Sequence, residues 1–295
     1  MHSNRSALLA ISLPLLVILL YFGPFSRPRV RAAAATSRLG VEESNKLWDE
    51  CNTLFRATKY EEALPCVLKL HQNYPSSHIY MEMAAGIYDH LGRYQEEAEF
   101  WEKYFDHAPN PVTACPQIGD SYWKQGKEKE AIAAYQRCLS LEPDNSDNIF
   151  YLARALEKSA DPGQAAQLYQ RGLQVSPDYT DMQMGLAHVW IRLGNLAGAK
   201  SLVDKAIQKS PNNVDVLLVA GLVYSRAGDL RTARQYLEHG VKLSEGYLDL
   251  HAALAGIAED ERNYPEAIRH YNRILQDHPE DTRTRAKRDA LLAKQ

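Results

Sequence analysis

Residues 177–211, PDYTDMQMGLAHVWIRLGNLAGAKSLVDKAIQKSP, contain one complete copy of a repeat that organises the chain. The two prolines that bound this stretch are 34 residues apart, and the same spacing continues on both sides of it. The other residues in register are Pro75, Pro109, Pro143, Glu245 and Pro279. A fixed period of about 34 residues is typical of stacked helix-turn-helix units. The spacing therefore predicts an array of short helix pairs.

The interior of the repeat has the same periodicity. When the proline is numbered position 32, positions 8 and 20 hold small residues and position 24 holds large ones. Position 8 contains Cys51, Ala85, Gly119, Ala153, Ala187, Gly221 and Ala255. Position 24 contains Val67, Trp101, Tyr135, Tyr169, Val203, Leu237 and Tyr271. Small residues let two helices approach closely, and large ones fill the space between them. Position 15 is glycine in four repeats, which indicates the end of the first helix.

This pattern resembles the tetratricopeptide repeat, most closely in residues 120–145, DSYWKQGKEKEAIAAYQRCLSLEPDN. The resemblance covers seven repeats, residues 44–281, and implies an all-α, right-handed superhelical solenoid. Residues 282–295 predict a C-terminal capping helix, with Ala286, Ala290 and Leu291 turned toward repeat seven. Repeat two departs from the pattern, since Glu97 occupies the small position 20 and Ala98 follows one place late.

Residues 1–26 are predicted to be a signal peptide or a membrane anchor, because residues 7–25 are apolar or nearly so and uncharged. The alanines at 32–35 favour cleavage. Three arginines lie between them and the apolar run, at 27, 29 and 31, and favour an uncleaved anchor. Residues 27–43 are predicted to be a tether. We expect the repeats to be extracytoplasmic, in a periplasm; the alternative, from the density of arginine after the run, is an anchored chain with cytoplasmic repeats.

The four cysteines contain no CxxC spacing, so neither a zinc ribbon nor a thioredoxin-like site is indicated. Cys51 and Cys66 occupy positions 8 and 23 of one repeat, and Cys115 and Cys138 occupy positions 4 and 27 of another. The two positions add up to 31 in both pairs, which places each pair on facing sides of a helical hairpin. The spacing predicts disulfides Cys51–Cys66 and Cys115–Cys138. The alternative is four free, buried thiols that pack as small apolar side chains.

No catalytic or cofactor motif emerges from the remaining sequence. Phosphate-binding loops, nucleophile elbows and HExxH zinc motifs are all absent. Ser121 and Lys124 match an SxxK string, but they fill one repeat helix and lack the companion motifs. A net charge of −3 does not indicate the basic surface that nucleic-acid-binding proteins usually have. We therefore expect no enzymatic activity, cofactor, metal, nucleic acid or small-molecule substrate.

In the tetratricopeptide repeat family the first helices of successive repeats line a concave groove that holds a peptide or a partner helix. The resemblance, together with aromatic and polar side chains at the groove positions, gives candidate partner-binding residues. These are Trp48, Asn52, Phe55, Asp120, Trp123, Lys124, Phe150, Arg154, Lys158, His188 and Arg192. Two alternatives remain open. Trp48 and Phe55 would pack under the tether. The cations at position 13, which include Lys124, Lys158 and Arg192, would only stabilise the C-terminal end of their helix through its dipole.

The most consistent function is a non-catalytic protein-interaction scaffold, membrane-tethered or exported, that binds a peptide or a partner protein. The family's carboxylate clamp is not supported, since only Asn52 matches it. The alternative function is a chaperone-like subunit of an envelope assembly or cytochrome maturation machine, and an enzyme is the third candidate.

Overall fold

The computed structural model describes residues 39–159 and 161–294. Within these ranges the chain forms 15 α-helices and one short 3-10 turn, and contains no strand. None of the described helices is long and apolar enough to cross a bilayer. The segment 1–26, predicted to be a signal peptide or anchor, lies outside the described residues. The predicted all-α class is confirmed.

The helices divide between two compact units, Met1–Ala155 and Leu156–Gln295, called the N-terminal and C-terminal units below. The first contains α1 Val41–Arg56, α2 Tyr60–Asn73, α3 His78–His90, α4 Tyr94–His107, α5 Cys115–Lys124 and α6 Glu128–Leu141. The boundary falls within α7, Ser146–Lys158. The second continues with α8 Pro162–Val175, α9 Thr180–Leu193, α10 Leu196–Lys209, α11 Val214–Arg226, α12 Leu230–Leu243, α13 Leu248–Asp260, α14 Tyr264–Asp277 and α15 Thr282–Leu292.

The small and large positions of the repeat meet inside each helix pair. A Cβ atom built on Gly119 would lie 2.2 Å from the ring of Tyr135, and one built on Gly221 would lie 2.4 Å from Leu237. Each of these contacts joins position 8 of one repeat to position 24 of the same repeat. Ala187, at position 8 of repeat five, has no exposed surface. The predicted alignment of the repeats is therefore confirmed. The small residues at position 8 have no room for another carbon, and they face the large residues at position 24 that fill the space.

In the six repeats whose position 15 is described, the turn inside the helix pair places a left-handed residue there. Gly92, Gly126, Gly194 and Gly228 adopt φ values of 68°, 73°, 81° and 84°. Thr58 and Arg262 occupy the same position in repeats one and seven, and both adopt a φ of 58°. A side chain is unfavourable in this conformation, so these two turns are more strained than the glycine turns.

Both ends of the described array differ in detail from the sequence prediction. Helix α1 begins at Val41, and Leu39 is buried, so the residues before 44 do not all belong to a tether. Helix α15 forms as predicted, but Ala286 and Ala290 are exposed. Leu291 is buried as predicted, and Thr284 is buried in place of the two alanines. The seven-residue separation of Thr284 and Leu291 is two helical turns, so α15 contacts the array along one narrow seam.

Candidate functional site

A groove of about 410 Å³ opens in the N-terminal unit among the first helices of repeats two, three and four, which are α3, α5 and α7. The second helix of repeat two, α4, contributes to the same wall. The lining includes Glu82, Gly86, Asp89, Glu97, Trp101, Gln117, Asp120, Lys124, Glu142, Asp147, Asn148 and Tyr151. Residues of three first helices line the same space in this unit, although they are far apart in sequence.

The groove is strongly acidic. Six of its lining residues are carboxylates, Glu82, Asp89, Glu97, Asp120, Glu142 and Asp147, whereas Lys124 is the one lining lysine. Among the residues that the structure describes, no three His, Cys, Asp or Glu side chains are grouped so as to hold a metal ion. Position 13 of the repeat holds a cation in most repeats, so the sequence did not indicate that the groove would be acidic.

Lys124 forms the central ion pair of the groove. Its Nζ lies 2.5 Å from Asp89 Oδ1 and 3.3 Å from Glu97 Oε1. The Glu97 side chain is only 4% exposed. Burial raises the pKa of Glu97 to about 7, although the charge of Lys124 acts to lower it. Burial also opposes the charged form of Lys124, but hydrogen bonds to Asp89 and Glu97 outweigh it and raise the pKa of that lysine.

This ion pair explains the departure of repeat two from the repeat pattern. Glu97 takes the place of a small residue at position 20 and is buried, with Ala98 buried beside it. The charge is tolerated because Lys124 reaches it from the next repeat. The cation at position 13 thus joins adjacent repeats in addition to lying in the last turn of its helix.

Asp120 organises a second cluster at the groove wall. It accepts a 2.7 Å hydrogen bond from the Tyr135 hydroxyl, and Arg154 lies 3.5 Å away. Burial, together with the charge of Asp120, raises the pKa of Tyr135 and keeps its hydroxyl a donor. The Arg154 guanidinium also lies 5.6 Å from the ring centres of both Phe150 and Tyr151. Three predicted residues, Asp120, Phe150 and Arg154, therefore come together in the structure.

Two amide groups of the groove are buried without a partner. Asn148 is 3% exposed, and its Nδ2 has no hydrogen-bond partner in the described part of the chain. The Oε1 of Gln117 is likewise buried and lacks a donor among residues 39–159 and 161–294. Sequence reasoning missed both residues. Gln117 occupies a groove position but carries no charge or ring, and Asn148 lies at position 3, which is not a groove position of the family.

The predicted residues of repeat one do not form an open aromatic surface. The prediction of Trp48 as a groove aromatic is wrong, because it is 2% exposed and packs 5.3 Å from the Tyr80 ring in the core. Asn52 donates to the backbone oxygen of Trp48, one helical turn earlier. Phe55 is half-buried and makes an edge contact with Tyr60 at 5.5 Å. The alternative of packing under a tether concerns residues 27–43, of which the structure describes only 39–43.

The remaining candidates are placed as follows. Trp123 is half-buried on α5, and Lys158 is exposed at the end of α7. In the C-terminal unit, His188 Nδ1 lies 2.5 Å from Glu157 Oε1, and Arg192 donates to the Glu157 backbone oxygen over 2.8 Å. The hydroxyl of Tyr169 donates to the same carboxylate. His188 and Arg192 thus join neighbouring repeats through Glu157.

The four cysteines are joined as the disulfides Cys51–Cys66 and Cys115–Cys138. Their Cα atoms are 5.7 Å and 6.0 Å apart, within the usual range for such bonds. Each bond connects the two helices of one repeat. Cys115 and Cys138 have no exposed surface, and they pack with Val112 beside the groove.

Comparison with known proteins agrees with this architecture. Three sequence-family models, each described as "Tetratricopeptide repeat", match residues 49–110, 112–145, and 156–222 with 224–294. The second match coincides with repeat three as delimited by the prolines. Together the three matches extend over most of the described chain.

Solved structures of tetratricopeptide repeat proteins are similar to this chain in fold. One from Parabacteroides merdae has a TM-score of 0.73 at 13% identity, covering 84% of this chain and 98% of the other. A thermophilic one from Thermus thermophilus has a TM-score of 0.57 at 22% identity, covering 62% and 99%. The pilF protein of Pseudomonas aeruginosa has a TM-score of 0.54 at 17% identity, covering 72% and 96%. With its period, its helix pairs and these matches, the chain belongs to the tetratricopeptide repeat family.

Proposed function

We propose that this protein is a non-catalytic interaction scaffold whose acidic groove binds a segment of a partner protein. The observation that carries the proposal is the pair of buried, unpartnered amides at Gln117 and Asn148 inside a groove of about 410 Å³. A buried amide without a hydrogen bond is unfavourable by roughly 1–3 kcal/mol. A bound polypeptide removes that penalty, because its backbone offers both a donor and an acceptor.

Two residues beside the groove lining give the first test, Trp123 next to Lys124 in the chain and Arg154 next to Asp120. Trp123 and Arg154 are half-buried on α5 and α7, and neither occupies a small position of the repeat. Replacing both by alanine should remove contact area and the guanidinium beside Asp120, and should leave the packing of the helix pairs intact. Truncation of such anchors weakens an interface by roughly 2 kcal/mol or more each.

The experiment captures partners from the native organism with full-length protein and compares the double variant with Gln136→Ala. Gln136 is exposed on α6 and does not line the groove. We expect the double variant to lose most of the captured partner while its melting temperature changes by a few degrees at most. Equal recovery by both variants would show that Trp123 and Arg154 take no part in binding, and would contradict a binding surface on α5 and α7. Recovery of many unfolded chains, rather than one defined partner, would favour the chaperone-like alternative.

We further propose that the protein is exported or membrane-tethered through residues 7–25, with its repeats in an oxidising compartment such as a periplasm. The two disulfides support this, because such bonds persist in oxidising compartments and are rare in the cytosol. Intact-mass measurement on protein from its native compartment should show both bonds formed. Four free thiols in freshly isolated protein would favour the alternative, an anchored chain with cytoplasmic repeats.

A further inference from the structure

We propose that the segment bound in the groove is extended and presents a lysine or arginine side chain to Glu82, while Gln117 and Asn148 bond its backbone. This inference rests on the proposed function and adds the chemistry of the ligand. It depends on three features of the N-terminal unit: the buried amides, the distribution of paired and unpaired carboxylates, and the rings of the groove wall.

The amides indicate a polypeptide backbone. Asn148 Nδ2 is a donor without an acceptor, and Gln117 Oε1 is an acceptor without a donor, in the part of the chain that the structure describes. They lie on neighbouring first helices, α7 and α5, and both line the same groove. An extended chain carries alternating N–H and C=O groups that no intrachain bond uses, so it can satisfy both amides at once.

The carboxylates indicate where a cation belongs. Asp89 and Glu97 are paired with Lys124, and Asp120 with Arg154. Glu142 accepts a hydrogen bond from Asn145. Asp147, the fifth, is not free either. Glu82 differs from these five, since no described residue forms an ion pair or a hydrogen bond with its side chain. It is half-buried on α3, the first helix of repeat two.

A bound cation would supply the positive charge that the Glu82 carboxylate lacks. Burial raises the pKa of Glu82, because its charged form loses hydration with no nearby positive charge to replace it. A lysine or arginine head group would supply that charge. The rings of Trp101 and Tyr151 line the same groove, and an aliphatic stem of four or three methylenes packs favourably on such surfaces. An acidic segment would instead be repelled by the uncompensated carboxylate of Glu82.

The test uses full-length protein in a nonionic detergent and three fluorescent peptides, followed by fluorescence anisotropy. Each peptide has about nine residues of serine and alanine, long enough to extend about 30 Å. The alternate positions carry lysine, acetyl-lysine or glutamate. We expect the lysine peptide to bind at least ~10-fold more tightly than the acetylated one, with the glutamate peptide weakest, and with affinity decreasing as salt is raised.

Variants separate the two parts of the inference. Glu82→Gln keeps the shape of the side chain and should weaken binding of the lysine peptide by ~10-fold, with no effect on the acetylated peptide. Glu128→Gln removes the same charge from an exposed residue of α6 that does not line the groove, and should leave affinity unchanged. Asn148→Ala and Gln117→Ala should each weaken binding of all the peptides, with thermal melting used to check folding. Gln117 is half-buried, so its variant remains informative if Asn148→Ala unfolds.

Three results would overturn the inference. Equal affinity for the three peptides, with loss in Asn148→Ala, would leave the groove as the binding surface and remove its preference for a cation. Tight binding of the lysine peptide that neither Glu82→Gln nor the amide variants weaken would place the interaction outside the groove. A gain in affinity when Arg27, Arg29 and Arg31 are all replaced by glutamine would identify the chain's own N-terminal sequence as the occupant, in place of a partner.

Discussion

Glu97→Gln should abolish a pH dependence of stability that arises in the N-terminal unit. Glu97 is 3% exposed, and burial raises its pKa to about 7 from the ordinary value of 4.5. The unfolded chain has the ordinary value. Between these two pH values the folded protein therefore holds a proton that the unfolded protein releases, and the free energy of unfolding falls as pH rises. The contribution is complete below pH 4.5 and is lost as pH rises through about 7.

The magnitude follows from the separation of the two pKa values, which is about 2.5 pH units, at 1.36 kcal/mol for each unit. Up to about 3 kcal/mol of stability is thus lost between pH 4.5 and pH 8. Glutamine keeps the size of the side chain and cannot ionise, so the variant should lose none of this amount. At pH 8 it should also be more stable than the natural protein, even though Lys124 then retains only Asp89 as its partner.

The assay is urea denaturation followed by tryptophan fluorescence at pH 5 and pH 8, in the natural protein and in two variants. Glu99→Gln is the matched control, since Glu99 is exposed on the same helix and the substitution removes the same charge. The difference in unfolding free energy between the two pH values should shift by about 2–3 kcal/mol in Glu97→Gln and should stay unchanged in Glu99→Gln. Identical pH dependence in all three proteins would refute the reasoning, and Glu97 would then be ionised in the folded state throughout.

The other predictions concern both units. Burial, together with the charge of His251, lowers the pKa of His270 to about 4 from 6.5. The C-terminal unit should therefore lose stability as pH falls from 6.5 toward 4. At pH 5 the His270→Gln variant should regain about 2 kcal/mol of unfolding free energy, measured by urea denaturation with Trp190 fluorescence. An unfolding free energy equal to that of the natural protein would contradict the lowered pKa. Ala187→Leu should lower the unfolding free energy by about 1–3 kcal/mol, because position 8 has no spare volume; an unchanged urea midpoint would mean that the register is wrong. Arg262→Gly should raise the melting temperature by a few degrees, since it removes about 1 kcal/mol of left-handed strain; a lower melting temperature would show that the Arg262 side chain contributes more than the strain costs.

Much of the fold follows from the sequence, because every repeat shows the same pairing of a small residue on its first helix with a large residue on its second. Seven copies of the small residue at position 8 and the large residue at position 24 determine the register, and the structure shows the two in close contact in repeats three and six. The ends are less predictable. Helix α15 has no following repeat to define its buried side, so its alternation of alanine and charge did not show that Thr284 is buried and Ala286 exposed.

The groove could be located from the sequence, but its chemistry could not. The resemblance identifies which helices face the groove, and two of the candidate residues, Asp120 and Lys124, line it in the structure. It does not show which charges neutralise one another, because Lys124 and Glu97 are 27 residues apart and meet only after two repeats stack. Residue type likewise says nothing about whether an amide is satisfied. Asn148 is unusual because of its burial and its missing partner within the described residues, and neither property is visible in one sequence.

One departure from the repeat pattern, Glu97, and one unsatisfied polar residue, Asn148, lie in the same groove. Glu97 replaces a small residue, and its burial lowers the stability of the folded protein at neutral pH. Asn148 places an unsatisfied amide where an apolar side chain would be more favourable. Both residues line one groove of the N-terminal unit, whereas the small position 20 holds alanine in the other six repeats. Sequences that violate their own packing rule usually do so at functional sites. Lys124 already compensates the charge of Glu97, whereas the Asn148 amide has no partner in the described chain, and under the proposed function a bound segment would satisfy that amide.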